Sequence, residues 1–334
     1  MPTRRHTLVA AAGLALPAIA PLVPAQSGRS SAAATSGAPA ALPRLKIYIP
    51  ANAGGGWDQT GRSLGGALQA AQLVQHVEYE NKGGKGGTLG LADFVARHGS
   101  DPDALLIGGM VMIGALAVNR DEQALRQVTP IARLTSDYMV LVAPAGGRIT
   151  DLKKMVAEVR QNLATVPIAG GSAGGVDHML AGMIVRSLGV NPAGLQYRPT
   201  SSGKDAVVLL QSGQAAVAIS GYSEFKAGIE DKSLVPLAVS SRKTLFGIPS
   251  LREQGIDTEL ANWRGVFAPG LLEDSRKVAL RQLVIRATES PAWRQALLDN
   301  NWLGSLLYGK EFEDFLAIEQ GIASAVTLML KLKA

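Results

Sequence analysis

The sequence predicts an α/β fold made of two sheet-and-helix units, and three observations carry that prediction. Short apolar strand patterns alternate with helix-periodic segments along most of the chain. Glycine-rich turns stand where several strands end and helices begin. Strand 138–144 and a second one near 234–242 fall where the chain crosses from one unit to the other and back. The expected organisation is a signal peptide over 1–25 and a disordered linker over 26–43. A discontinuous first domain follows, from 44–141 and 236–334, with a second domain, 142–235, inserted into it.

The N-terminus opens with Arg4-Arg5, then an apolar run from Leu8 to Ala20, then Val23-Pro24-Ala25. That is the layout of an export signal with cleavage after Ala25. The run is too short to span a bilayer, and the arginine pair points to the twin-arginine route. The stretch "SGRSSAAATSGAPAALP" (27–43) has linker composition.

The elements then follow in order. "LKIYIP" (45–50) is a strand, and 57–73 places Leu64, Ala67, Leu68 and Ala71 at helical spacing. "HVEYEN" (76–81) is a strand, 88–98 a helix, and "ALLIGG" (104–109) a short buried strand. Met110 and Met112 after it read as core or cleft wall. "YMVLVAP" (138–144) is a strand; 151–163 is an amphipathic helix with Leu152, Met155, Val156, Val159 and Leu163 on one stripe. "VPIAGG" (166–171) is a strand and 177–189 a helix stopped by Gly189. "LQYRP" is a strand, 203–213 a helix, and "AAVAIS" and "LVPLAVSS" (234–241) are strands. Residues 274–289 and 311–329 are long helical patterns.

With 334 residues and 47% hydrophobic residues the chain can bury a large core. The absence of cysteine excludes disulfides, thiolate metal sites and cysteine catalysis. The net charge of +6 comes from scattered lysines and arginines without interleaved aromatics, which favours an anionic small ligand over nucleic acid. Four histidines without ligand spacing predict no metal site. No dinucleotide fingerprint or phosphate-binding P-loop occurs, so no cofactor is expected.

Three turns share one design: "PANAGGGWD" (50–58), "AGGSAGGVD" (169–177) and "RPTSSGKDA" (198–206). Each joins a strand to a helix start, where unpaired N–H groups carry partial positive charge. Glycine lets an anion reach those groups and serine or threonine adds donors, so the turns form a cradle for a carboxylate or phosphate. Asp58, in the first helical turn, is expected to hold the loop's shape. "NKGGKGG" (81–87) is a fourth glycine turn.

A rival reading is a serine hydrolase. Gly170-Gly171-Ser172-Ala173-Gly174 matches the nucleophile-elbow pattern. Its histidine would have to be His178, with Asp177 beside it on the same helix, where adjacent side chains diverge by about 100°. A capping or polar surface role is the default for His178.

"IPANAGGGWDQTGRSLGGALQ", "YENKGGKGGTLGLADFV", "AGGSAGGVDHMLAG" and "ISGYSEFKAGI" together resemble the substrate-binding proteins of tripartite tricarboxylate transporters, in particular the tricarboxylate receptor branch. The likeness runs from about Leu45 to the C-terminus. It implies a two-domain periplasmic-binding-protein fold, type II-like, in which each domain is a mixed sheet flanked by helices, two crossover strands join them, and a Venus-flytrap closure traps the ligand. It implies carboxylate binding by Asn52, Ala53, Gly54, Gly55, Gly56, Trp57 and Asp58 from one domain and Ser172, Ala173, Gly174, Gly175 and Asp177 from the other. Thr200, Ser201, Ser202 and Gly203 support them. Ser220 stands where many members outside the branch carry aspartate, which weakens any claim to amino-acid or amide ligands. Tyr222, after Gly221, fits the branch, and the bulk of Trp57 walls the pocket. Beside the resemblance, the residues themselves make Arg198 or Lys204 a candidate for a distal carboxylate, with a solvent-facing Arg198 as the equal alternative. The implied role is a non-enzymatic, monomeric periplasmic receptor that captures a citrate-like di- or tricarboxylate and delivers it to a two-subunit membrane permease.

Overall fold

The computed structural model describes residues 41–200 and 202–332; the expected signal peptide, most of the expected linker, and Ser201 lie outside them. The fold is α/β, with the two-domain architecture of periplasmic binding proteins. The linker expected through residue 43 ends earlier. Strand β1 (Leu42–Ile49) already pairs Leu42 with Val74 of β2 (Val74–Asn81).

In the first half of the sheet, β1 lies between β2 and β3 (Ala104–Gly109), all parallel. Helices α1 (Gly56–Ala70) and α2 (Thr88–His98) make the crossovers. Leu45, Ile47, Tyr48 and Ile49 are fully buried, as a central parallel strand covered on both faces requires. Helix α3 (Met110–Asn119) leaves β3 directly. Sequence reading passed over α3 because "MVMIGALAV" is apolar all round and has no polar stripe to give it a helical period. Met110 and Met112 are both in the core.

Strand β4 (Val128–Pro144) is longer than the 138–144 expected, because Arg133, Ser136 and Asp137 interrupt its apolar run. Its first part pairs antiparallel with β9 (Ala261–Pro269) and β10 (Leu303–Tyr308). Its last part pairs with β7 (Val217–Gly221) and β8 (Leu234–Val239). Strand β9 also pairs with β3, so β4 and β9 carry one hydrogen-bonded network across the molecule. The second half adds β5 (Ile168–Gly170) and β6 (Tyr197–Pro199), parallel to β7. Its helices are α4 (Leu152–Gln161), α5 (Val176–Ser187), α6 (Gly203–Gln211) and α7 (Tyr222–Glu230). Helices α8 (Asp274–Thr288), α9 (Pro291–Asp299) and α10 (Gly309–Met329) complete the chain. Helix α10 packs on α3, β4 and α5 and so touches both halves. Among the described residues no helix is long and apolar enough to cross a membrane.

Candidate functional site

A cavity of about 850 Å³ opens between the halves. From the first half it takes the turn after β1, the glycines of 83–87, and residues 299–302 at the end of α9 and just after it; from the second it takes Asp177, Ser202, Ser220, Gly221, Ser223 and Glu224. Asp137 and Met139 line it from β4, and Asn262 and Arg264 from β9.

The turn after β1 is held from below. Gly54 has φ +82°, a conformation that glycine adopts freely, and its N–H donates to Asp58 Oδ2 at 2.8 Å. Asp58 also accepts from Asn81 Nδ2 (2.9 Å) and Arg62 Nε (3.0 Å). Burial alone would raise its pKa, but Arg62, Gly54 and Asn81 outweigh that and hold the carboxyl below its ordinary value. The charge is thus consumed by the loop. Gly55 caps α1 without a side chain, and the N–H groups of Gly56 and Trp57 make no hydrogen bond among the described residues. These are free donors at a helix start, beside the cavity.

Arg264 is the cation of this site. It sits on β9, its side chain is 9% exposed, and its Nη1 has no hydrogen-bond partner among the described residues. Its Nη2 lies 3.5 Å from Asp137 Oδ2, and its guanidinium stacks 4.9 Å above the Trp302 ring. A Cβ on Gly56 would come within 3.0 Å of Nη2, so the glycine at the start of α1 is what lets Arg264 lie beneath the free amides. Burial pulls the Arg264 pKa down and Asp137 opposes it; a guanidinium stays charged regardless.

Acids also line the cavity: Asp137, beside Arg264 on the neighbouring strand β4, together with Asp177, Glu224 and Asp299. Burial raises the Asp177 pKa to about 7; the Gly171 N–H, donating at 2.7 Å, opposes the rise, and the charges of Glu224 and Asp137 add to it. Burial likewise raises Asp137, against Arg264 and with Glu224. Glu224 accepts from the Gly203 N–H.

The structure brings together only part of the expected set. Asn52, Gly54, Gly55, Gly56, Trp57, Asp177, Ser202 and Ser220 line the large cavity. Ser172, Ala173, Gly174 and Gly175 open instead onto an adjoining cavity of about 340 Å³, which shares Gly86 and Val111 with the first. Ala53, Asp58, Thr200, Gly203 and Tyr222 line neither. Thr200 is occupied by its Oγ1 bonds to the Gly170 and Ser202 carbonyls, Gly203 by Glu224, and Tyr222 by stacking on Phe246 at 4.0 Å. Arg198 and Lys204 are exposed and border neither cavity.

His178 is buried rather than on the surface, and its Nδ1 accepts from the Gly174 N–H at 3.1 Å. It stacks on Tyr197 at 4.0 Å, and burial lowers its pKa to about 4, so the ring is neutral. No hydrogen bond joins it to Ser172 or Asp177 among the described residues, and Asp177 is turned to Gly171. The arrangement needed for a serine nucleophile is not formed.

Sequence reading missed Arg264, Asn262, Asp137, Glu224 and the 83–87 glycines as site residues. A signal existed for Arg264: a lone arginine inside "NWRGVFAP", an apolar strand, must find a partner or a ligand. The 81–87 turn belongs to the motifs that carry the family resemblance, but its glycines have no side chain that would mark them as cavity lining. Gly84, Gly86 and Gly87 all have positive φ there, and Gly87 leaves room for the Trp57 ring.

The family model for the tripartite tricarboxylate transporter family receptor matches residues 64–309. The chain belongs to that family. Its members are periplasmic solute-binding receptors, not enzymes. Two curated relatives are similar in sequence. A UPF0065 protein from Pseudomonas sp. (strain P51), encoded in the tcbD-tcbE intergenic region, is 27% identical over 66% of this chain and 66% of its own length. A UPF0065 protein from Agrobacterium vitis is 26% identical over 67% of this chain and 65% of its own. The chain thus spans just under two thirds of the length of these relatives. Among solved structures, a TctC solute-binding protein from Polaromonas superposes with TM-score 0.70 at 21% identity, covering 85% of this chain and 98% of that one. A Rhodopseudomonas palustris protein with bound malate gives 0.66 at 21%, over 85% and 98%. A second R. palustris protein, with adipate, gives 0.71 at 18%, over 87% and 98%. These likenesses establish the fold of the family receptor.

Proposed function

We propose that this protein is an extracytoplasmic receptor that captures a small carboxylate in the large cavity and hands it to a two-subunit membrane permease. The observation that carries the reading is the buried Arg264, with an unpartnered Nη1, next to two free amides at the start of α1. Together they offer a carboxylate a charge-assisted contact and a helix-start cradle without ordering any long exposed side chain. Malate and adipate in structural relatives support the ligand class. The N-terminal arginine pair and apolar run support export, by a signal peptide and the twin-arginine route.

A citrate-like tricarboxylate is the ligand expected from the motifs alone. The cavity's charges favour fewer carboxylates, since Arg264 is the single cation facing several acids among its lining residues. In the proposed cycle a domain of 44–141 with 236–334 and an inserted domain of 142–235 close on the ligand as a monomer, and the closed form is what the permease recognises.

The test is calorimetric titration with malate, succinate, adipate and citrate, on the wild type and on Arg264→Ala. At least one acid should bind, and the variant should bind it at least 30-fold more weakly while circular dichroism stays unchanged. Binding of equal strength in the variant would remove Arg264 from the site. No binding of any acid would remove the carboxylate reading.

A further inference from the structure

Among the described residues lining the large cavity, Arg264 is the only cation, and an acid of the chain itself already stands on it. Asp137 lies beside it on the neighbouring strand β4, with Oδ2 3.5 Å from Nη2. One arm of the guanidinium is thus turned to an internal carboxylate, while the other, Nη1, is buried without an acceptor.

Asp137 is weakly held in return. Its carboxylate accepts no hydrogen bond among the described residues, and Arg264 is the one opposite charge acting on it. Gly221 of β7 backs it closely, since a Cβ there would come 3.2 Å from Oδ2. The other charges that face it are negative: Glu224 from α7 and Asp177 from α5, with Asp299 also lining the cavity. Burial and Glu224 favour its protonated form, and only Arg264 opposes them.

A carboxylate arriving on Arg264 upsets this balance. A guanidinium holds a carboxylate best through two parallel N–H donors, and Asp137 stands at one of them. Whether the ligand takes the free arm or displaces Asp137 from the other, two carboxylates then share one buried cation. Like charges so close do not both stay ionised in a dry site. A proton on Asp137 removes the conflict. It turns a competitor for Arg264 into a hydroxyl donor in the same cross-strand pair as Asn262, whose buried Oδ1 has no donor among the described residues.

Building on the carboxylate-receptor reading, we propose that Asp137 is an internal competitor for Arg264, and that capture of a carboxylate is coupled to uptake of a proton at Asp137. Release runs the other way: when Asp137 loses the proton it reclaims the arginine and expels the ligand.

The experiment titrates malate, succinate and adipate into the exported chain by calorimetry at pH 8.5, 7.5 and 6.5, each in two buffers of different ionisation enthalpy. Ordinary carboxyls titrate at about 4, so the acids themselves stay largely ionised over this range. The buffer pair counts protons, and the wild type should take up roughly half a proton or more per ligand bound, with affinity rising at least fivefold from pH 8.5 to 6.5. Asp137→Asn should bind the same acid at least tenfold more tightly than the wild type at pH 8.5, by a margin that narrows at pH 6.5, and should take up no proton. Asp177→Asn, which keeps an acceptor for the Gly171 N–H, should retain most of the uptake. Binding without proton uptake in the wild type overturns the proposal and leaves the carboxylate receptor standing, whether or not the variants fold. Uptake that persists in Asp137→Asn, or is lost in Asp177→Asn instead, overturns it too. So does weaker binding by Asp137→Asn at every pH, which would make Asp137 a support for Arg264. If no acid binds at any pH, both readings fall.

Discussion

Asp177 and His178 are adjacent, and folding pushes them off their ordinary titration ranges in opposite senses. Asp177 rises to about 7, so between pH 4 and 7 the folded chain holds a proton that the unfolded chain has lost. Stability from this group therefore falls as pH rises through that window. His178 drops from 6.5 to about 4, so there the unfolded chain holds the extra proton, and stability falls as pH falls. The two slopes offset each other in the wild type. Asp177→Asn should expose the histidine slope, with the melting temperature dropping by roughly 5 °C from pH 6.5 to 4.5. His178→Gln should expose the opposite slope. Thermal melts across pH 4–7.5 check both, and parallel profiles for the two variants would refute the shifts. At the same scale, Asp58 holds Gly54, Asn81 and Arg62 together from a buried position. Asp58→Ala should lose roughly 1–3 kcal/mol by leaving those donors unpaired, read by urea unfolding.

Helix starts differ in how they are capped, and Ser202, which lines the cavity, caps α6 while α8 and α10 have no side-chain cap. Helices α1, α5 and α7 begin at Gly55, Gly175 and Gly221, none with a side-chain cap. Helices α4 and α9 are capped by Asp151 and Ser290 in the usual way. An uncapped start keeps its amides free, at a cost in helix stability of a few tenths of a kcal/mol relative to serine. Gly55→Ser should therefore raise or preserve the melting temperature and yet weaken carboxylate binding at least fivefold, because the new hydroxyl competes for the Trp57 or Asp58 N–H. Unchanged affinity in calorimetry would show that these amides do not hold the ligand. Most of these elements were legible in the sequence, since β1, β2, β3 and the helices α1, α2, α4 and α10 have clear periodicity. The periodicity does not mark α3, α7, α9, β9 and β10. Helix α3 lacks a polar face, and β9 carries an arginine and a glycine where an alternating strand would not.

At the scale of the molecule, the cavity takes walls from both halves of the sheet, joined through β4 and β9, with α10 packed across them. A ligand that binds both walls favours the closed form by the difference in its contacts with the two states. Addition of a saturating ligand should reduce the radius of gyration by on the order of 1 Å from roughly 20 Å. Small-angle scattering checks this, and an unchanged radius with full occupancy would argue against closure.

The sequence by itself determined the α/β class, the glycine turns and the family, because these rest on local periodicity, on turn chemistry and on an ordered set of motifs. It also marked Trp57, Asp177, Ser202 and Ser220, which line the cavity. Only the tertiary structure decided that Arg264, Asn262, Asp137 and Glu224 meet those turns, and that Ser172–Gly175 open onto a neighbouring cavity. The physical reason is that the charge of a site is a sum over residues far apart in the chain. It takes shape only once β9 has inserted between β3 and β4 and carried its arginine beneath the start of α1.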